Sequence, residues 1–557
     1  MARALLPAAA LLFSCGQQSA LVEVPGVDDS AAATALSGGD LWSPIVRLRD
    51  DTSRFPTGKP AGGWWVTPIH ANLLADGRVL ITGWSRKDEK LCALHHTREN
   101  GVTFLLDPAA LGGGGTLNVT PLDEHGNGDD VLYCAGHAPL PDGRVLFTGG
   151  ARYRNLGTPG AELEDGLDYA RLYDPATGTL QQLPQKMAGG PQGREGWAWY
   201  PTNTRLPSGD LLVMAGFTGC CKGEFANNSV QLFRPAELAA GRTPWATLVS
   251  HTESWGELAP GLRDYVHAWV LPRPVMAQGL PRQVAMIGYA GRTLLFNADD
   301  GVPSSQRFTG ATNWERPGGV MAWDSSGALL SSGELLTLGG TADPAIARRA
   351  DLWSPVTGAW RSLDTGIGRR NASTVLLPDG KVLVMNGGDD DHRFTGDRRS
   401  PQVVDPTTGT IDTYAPWTND GEERGYHSFA LLLKDGRVLI GGGVSSQGGI
   451  GCERADVRLY RPAYLNGTRP VLNGLPEPVA MQLGGAELSV TVSGAPLRSL
   501  ALMALPATTH SFDQNQRFVA LTFTAQGTTA RVKPPQTANE APPGDYLLFA
   551  VSQAGVV

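Results

Sequence analysis

Three side chains of kinds that ligate soft metals stand at one place in a repeated phrase. The phrase is an apolar run, a turn closed by glycine and a second apolar run, and its clearest copy is VLYCAGHAPLPDGRVLFTGG from Val131 to Gly150. Nine positions before the turn glycines Gly77, Gly143, Gly209, Gly333, Gly380 and Gly436 stand Pro68, Cys134, Tyr200, Asp324, Asn371 and His427. Equivalent positions in a ring of repeats share one height and one radius about the axis. Cys134, Tyr200 and His427 are therefore expected to converge. Thiol, phenol and imidazole together favour copper or zinc over magnesium or calcium.

Tyr426 precedes His427 in the chain. Neighbours in a regular strand point to opposite faces, so both can serve one ion only where the chain is irregular. The entry to the strand SFALLL is such a place. Taken alone, Tyr426 would pack between repeats and His427 would bond a loop. The register shared with Cys134 and Tyr200, a further His510 in the polar loop PATTHSFDQNQ, and a lone thiol near an axis argue together for one site.

These residues need a scaffold of short strands. Each repeat joins two apolar runs through a turn such as Pro-Asp-Gly, a strong hairpin signal, and a degraded seventh copy surrounds Gly279 (VMAQGLPRQVAMIG). A second phrase follows most hairpins: LYDPATG, LFRPAEL, LWSPVTG, VVDPTTG and LYRPAYL. Proline and glycine there end one strand and begin the next. The two phrases resemble kelch repeats and predict an all-β fold, a seven-bladed propeller over 41–465. From 466 to 557 the pattern changes to a turn-rich linker and then to alternating runs such as ELSVTVSG, SLALMAL and DYLLFAV. Their spacing predicts an immunoglobulin-like sandwich. His510 lies in that second domain.

The net charge of -8 and the absence of a basic stripe argue against nucleic acid as a partner. Residues 1–15 read as an export signal, Arg3 followed by an apolar run too short to span a bilayer. LFSC ending at Cys15 is similar to a lipoprotein box; a plain signal peptide is the alternative. Residues 16–40 read as a flexible tether, and the mature protein is expected to be secreted or in the cell envelope, as a monomer. Membrane contact is expected only through a lipid on Cys15. Cys92, Cys220, Cys221 and Cys452 are left for disulfides whose pairing stays open. Cys92 with His95 and His96 lacks a fourth ligand and is a weak metal candidate. His137 reads as a histidine packed behind the ligands. His70, His125, His251, His267 and His392 show no partner, and Asp324 and Asn371 are weak candidates for orienting a substrate.

Four motifs, in order, resemble those of the copper radical oxidases, the family of glyoxal oxidase and galactose oxidase. They are YCAGHAPLPDG around Cys134, Trp199-Tyr200-Pro201, Tyr426-His427-Ser428, and Thr509-His510-Ser511 followed by Asn515-Gln516-Arg517. The resemblance covers the repeats and the C-terminal domain. It implies one copper ion ligated by Tyr200, Tyr426, His427 and His510, and a thioether between Cys134 and the Tyr200 ring that acts as a radical cofactor. Two-electron oxidation of an alcohol needs such a second one-electron store beside copper. Tyr200 is then the hydrogen-abstracting radical and Tyr426 the base. A small aldehyde or primary alcohol is the implied substrate, with dioxygen reduced to hydrogen peroxide.

The chain departs from this pattern in places. The tryptophan that stacks on the linked tyrosine in galactose oxidase falls by ungapped counting on Thr218, so its role is expected of Trp199, Trp323 or another side chain. A cysteine pair after the Gly-Gly-Gly run is reduced to Cys452, and the sequence stops at Val557, short of a final strand. The rival expectation is a non-catalytic propeller that binds glycans or a protein partner, since fold alone does not separate the two.

Overall fold

The computed structural model describes residues 41–51, 64–86, 100–123, 130–155, 162–187, 196–219, 226–250, 265–288, 291–311, 314–319, 325–341, 343–388, 397–417, 423–445, 452–476 and 478–557. The leader and tether, Cys92, Cys220, Cys221, the Cys452 side chain, Trp323, Asp324, His95, His96, His125, His251 and His392 lie outside the described residues.

Alternating apolar runs closed by Gly turns form antiparallel hairpins, and these assemble into seven blades. Their innermost strands are Trp65–Leu73, Asp130–Pro139, Thr202–Arg205, His267–Ala277, Ser325–Leu329, Arg370–Leu376 and Ser428–Leu432. The last blade is completed by the N-terminal strand Val46–Asp50, which pairs antiparallel with Asp456–Tyr460. That closes the ring with strands from both ends of the repeat region.

The seventh repeat differs from its sequence reading. Its hairpin, His267–Ala277 with Leu280–Ile287, is lengthened, and the pairing register shifts between Val270 and Val275. Counting back from Gly279 therefore lands on Val270, a strand residue. The axial position belongs to Tyr265 instead, whose N–H donates to the Tyr200 carbonyl at 2.9 Å just as Tyr200 N–H donates to the Cys134 carbonyl at 2.8 Å.

Behind the propeller, Pro470–Asn473, Leu488–Gly494, Thr529–Val532 and Phe523–Gln526 form one sheet, and Phe518–Leu521, Leu497–Ala504 and Tyr546–Ser552 another. Leu472, Val490, Leu500, Leu502 and Leu548 fill the space between them. A separate apolar cluster runs from the inner strands of the propeller into Ala501, Met503, Phe549 and Val551. The two domains share that core.

A finger, Ala507–Thr509 turning into Phe512–Asp513, leaves the sandwich and enters the propeller's centre. It pairs with the first blade through His70↔Thr509 and Asn72↔Ala507. Gln514 Oε1 accepts the N–H groups of His137 in the second blade, at 3.0 Å, and of Asn203 in the third, at 3.1 Å. Arg517 donates to the Val270 carbonyl at 2.6 Å, Gln516 accepts from Leu329 N–H at 2.9 Å, Ser511 donates to the Asn371 carbonyl at 2.8 Å and Thr508 to the Ala430 carbonyl at 3.4 Å. The finger is thus hydrogen-bonded to all seven blades.

Two blades carry the same buried ionic device. Asp351 lies 2.7 Å from both Arg316 and Arg349, and Asp456 binds Arg424 and Arg454 in the same way. The Arg316 and Asp351 side chains are 1% and 0% exposed. Asp351→Asn leaves two guanidinium groups without their counter-charge and is expected to cost about 3–5 kcal/mol. The shift of the denaturant midpoint measures it.

Candidate metal centre

Four blades present their axial residue at an irregularity of the innermost strand, inside it for Cys134 and Asn371 and just before it for Tyr200 and His427. Cys134, Tyr200, Asn371 and His427, all in the shared register, have φ of 63°, 61°, 53° and 67°. This left-handed conformation is unfavourable for residues with a Cβ and recurs at functional sites. It lets consecutive residues depart from strict alternation. Tyr426 and His427 consequently face the same space, their rings stacked at 3.9 Å. On the finger His510, at φ 44°, and Ser511, at 71°, repeat the device.

The residues singled out in the sequence meet. Ligand atoms of Cys134, His427 and His510 all lie within 4.8 Å of one another. The Tyr200 and Tyr426 hydroxyls are 2.5 Å apart, and the His510 ring centroid is 5.2 Å from each of those tyrosine rings. Cys134, His427 and His510 are buried, Tyr200 is 8% exposed and Tyr426 is half-buried. Tyr426 is the most exposed of the five.

Hydrogen bonds aim the imidazoles. His427 Nδ1 is 2.8 Å from Glu453 Oε1, and His510 Nδ1 is 2.6 Å from Thr509 Oγ1. Partners of this kind fix ring orientation and leave Nε2 for a metal. His510 Nε2 is buried and has no partner among the described residues. Burial, with the other histidines nearby, holds His510 well below the usual histidine range, so it is the neutral, ligating form. Burial also pushes the Tyr200 phenol up, with the Cys134 thiol and Tyr426 beside it raising it further. A cation in contact would offset that cost. Two imidazoles and two phenols around one point are a nitrogen and oxygen set suited to copper(II).

Several contacts had no signal in the sequence. The Cys134 N–H donates to His70 Nε2 at 2.8 Å, so His70 braces the strained cysteine from the first blade. His137 is buried, held by Asn72 at 2.7 Å, and packs on His70 at 5.0 Å. Tyr265 fills the axial place of the fourth blade, 4.9 Å from the Tyr200 ring and 4.8 Å from His510, its hydroxyl donating to the Ala135 carbonyl at 3.0 Å. His267 stacks on Phe512 away from the pocket.

Trp199 covers the Tyr200 ring, with centroids 4.2 Å apart and planes at 39°. Its backbone pairs with Phe217, the residue before Thr218. The indole thus comes from the opposing chain segment, one place from the position that counting indicated. Gly216 makes this approach feasible, because a Cβ there would meet the Trp199 carbonyl at 2.5 Å.

Comparisons with known proteins bear on this arrangement. The profile of the Galactose oxidase-like, Early set domain matches residues 469–557. An aldehyde oxidase GLOX from Vitis pseudoreticulata is 26% identical over 468 residues, covering 75% of this chain and 79% of that protein. A galactose oxidase from Gibberella zeae is 29% identical over 194 residues, 33% of this chain and 27% of that protein. The fold matches a solved fungal alcohol oxidase of the AA5 family, in complex with copper, with TM-score 0.65 and 19% identity, covering 92% of this chain and 97% of that one. Fold and site define a cluster of candidate metal ligands on a propeller axis. With these likenesses they support a copper radical oxidase.

Proposed function

We propose that the protein oxidises small aldehydes or primary alcohols and passes the electrons to dioxygen, releasing hydrogen peroxide. The observation that carries this reading is the meeting of Cys134, Tyr200, Tyr426, His427 and His510, contributed by three blades and the finger, in one pocket. His427 and His510 would hold copper through Nε2, with Tyr200 and Tyr426 completing the set. Copper bound there supplies one one-electron step between its two oxidation states and Lewis acidity toward a hydroxyl.

The remaining chemistry belongs to the chain. Cys134 and Tyr200 lose two hydrogens between them to form a carbon–sulfur bond, the two electrons and two protons going to dioxygen. Sulfur on the ring shares unpaired spin and makes Tyr200 easier to oxidise. Tyr426, the more exposed of the two phenols, receives the proton of the substrate hydroxyl, or of the hydrate for an aldehyde. The Tyr200 radical takes the hydrogen atom from carbon. Trp199 shields that radical: Trp199→Ala is expected to shorten the life of oxidised Tyr200 roughly tenfold, in line with the worth of a stacked aromatic pair. Decay of its radical signal measures this, and Trp199→Phe should retain most of the lifetime. Export rests on the leader-like first residues, with Cys15 the acceptor of any lipid.

Peptide mass spectrometry after copper loading in air tests the reading. A peptide joining Cys134 to Tyr200 and lighter by two hydrogens is the expected product. Freely alkylated Cys134 in copper-loaded protein overturns it. A peroxide-coupled screen of aldehydes and primary alcohols then ranks substrates.

A further inference from the structure

We propose that the propeller's central channel binds a halide-type monovalent anion, in a cavity between the finger and the innermost strands of the third and fourth blades. The cavity measures about 20 Å³ and is lined by Arg205, Trp269, Gln514, Gln516, Arg517 and Tyr546, among others. That is room for one occupant the size of a water molecule or a chloride ion. No residue of the metal centre lines it.

The residues that line it carry donors. Arg205 Nε and Nη1, Trp269 Nε1, Gln514 Nε2, Gln516 Nε2 and Arg517 Nη1 are all buried with no acceptor among the described residues. Both amides are locked in this sense, because their oxygens are taken: Gln514 Oε1 by two backbone N–H groups and Gln516 Oε1 by that of Leu329. The buried side-chain atoms left over on this wall are N–H groups throughout.

Charge points the same way. Arg205 and Arg517 are 4% and 5% exposed, and a guanidinium does not deprotonate in a protein. Among the described residues neither has a carboxylate within ion-pair distance. The ionisable neighbours of Arg517 are the Tyr546 phenol and Arg205 itself. Asp545 faces Arg205 from the sandwich side, with Asp142 beyond it. Asp545 offsets part of the Arg205 charge, but Arg517 is buried with only a phenol and a second guanidinium as ionisable neighbours, which is costly without a counter-charge. Water would satisfy the donors and leave the charge; a small anion does both. Sulfate and phosphate exceed the space, which leaves a halide.

Crystals of the full-length protein grown in bromide are expected to show anomalous density in this cavity, beside Arg517. Thermal unfolding of metal-free protein should rise by about 1 °C for each tenfold increase in chloride above the dissociation constant, and not with gluconate at equal ionic strength. Arg517→Gln removes both effects. If that variant does not fold, the bromide density and the chloride–gluconate pair on the unmodified protein decide alone. Ordered water without bromide, or equal midpoints in the two salts, overturns the proposal. Because the measurements use metal-free protein, the outcome is independent of the oxidase reading.

Discussion

Cys134→Ser protein should retain its fold and its copper and lose turnover by at least about a thousandfold. Serine fits the buried, left-handed position that Cys134 occupies at φ 63°. It keeps the N–H that donates to His70, and it leaves the phenols and imidazoles in place. What it removes is sulfur next to the Tyr200 ring, and with it the means of lowering the oxidation potential of that ring. Peroxide release, copper content and intact mass are to be measured on one preparation. Turnover within tenfold of the unmodified enzyme, at full copper content, would sink the claim that the thioether is the working store of the second electron.

The second large effect is expected of His510→Ala. In the proposed centre His510 would be the ligand brought by the sandwich; its Nε2 has no partner among the described residues, and it stands at the tip of the finger. Its removal should weaken copper binding by at least about a hundredfold, judging from the ten- to hundredfold that mere supporting partners of metal ligands are worth. The thermal midpoint of the metal-free variant should move little, because the finger's bonds to the blades are made by Thr508, Ser511, Gln514, Gln516 and Arg517. Copper competition titration separates loss of a ligand from loss of the finger. Unchanged affinity would show that the imidazole does not touch the metal.

Much of this architecture is legible in the chain because repetition is a long-range signal carried by short-range patterns. The turn glycines register the blades, and the position nine places before each, occupied by Cys134, Tyr200 and His427, is where the backbone goes left-handed toward the axis. The same counting fails at Gly279, where a lengthened hairpin moved Tyr265 out of step. It fails differently for His70, whose partner is a backbone N–H that no side-chain pattern reports. Glu453 orients His427 from across a blade, and a lone glutamate after Cys452 carries no mark of that. Trp199 was within sight as a neighbour of Tyr200, yet adjacency in sequence does not say that the rings overlap.

The finger that touches every blade also sets the order in which the molecule can mature. Its inner bonds need a ring of strands to receive them, while the ring is fastened by Val46–Asp50 near one end of the chain and the finger lies near the other. A ribosome releases the fastening strand early and the finger late. His510 therefore follows both ring-closing strands, Val46–Asp50 and Asp456–Tyr460, along the chain, and the cluster at the axis is complete only once the finger has entered a closed ring.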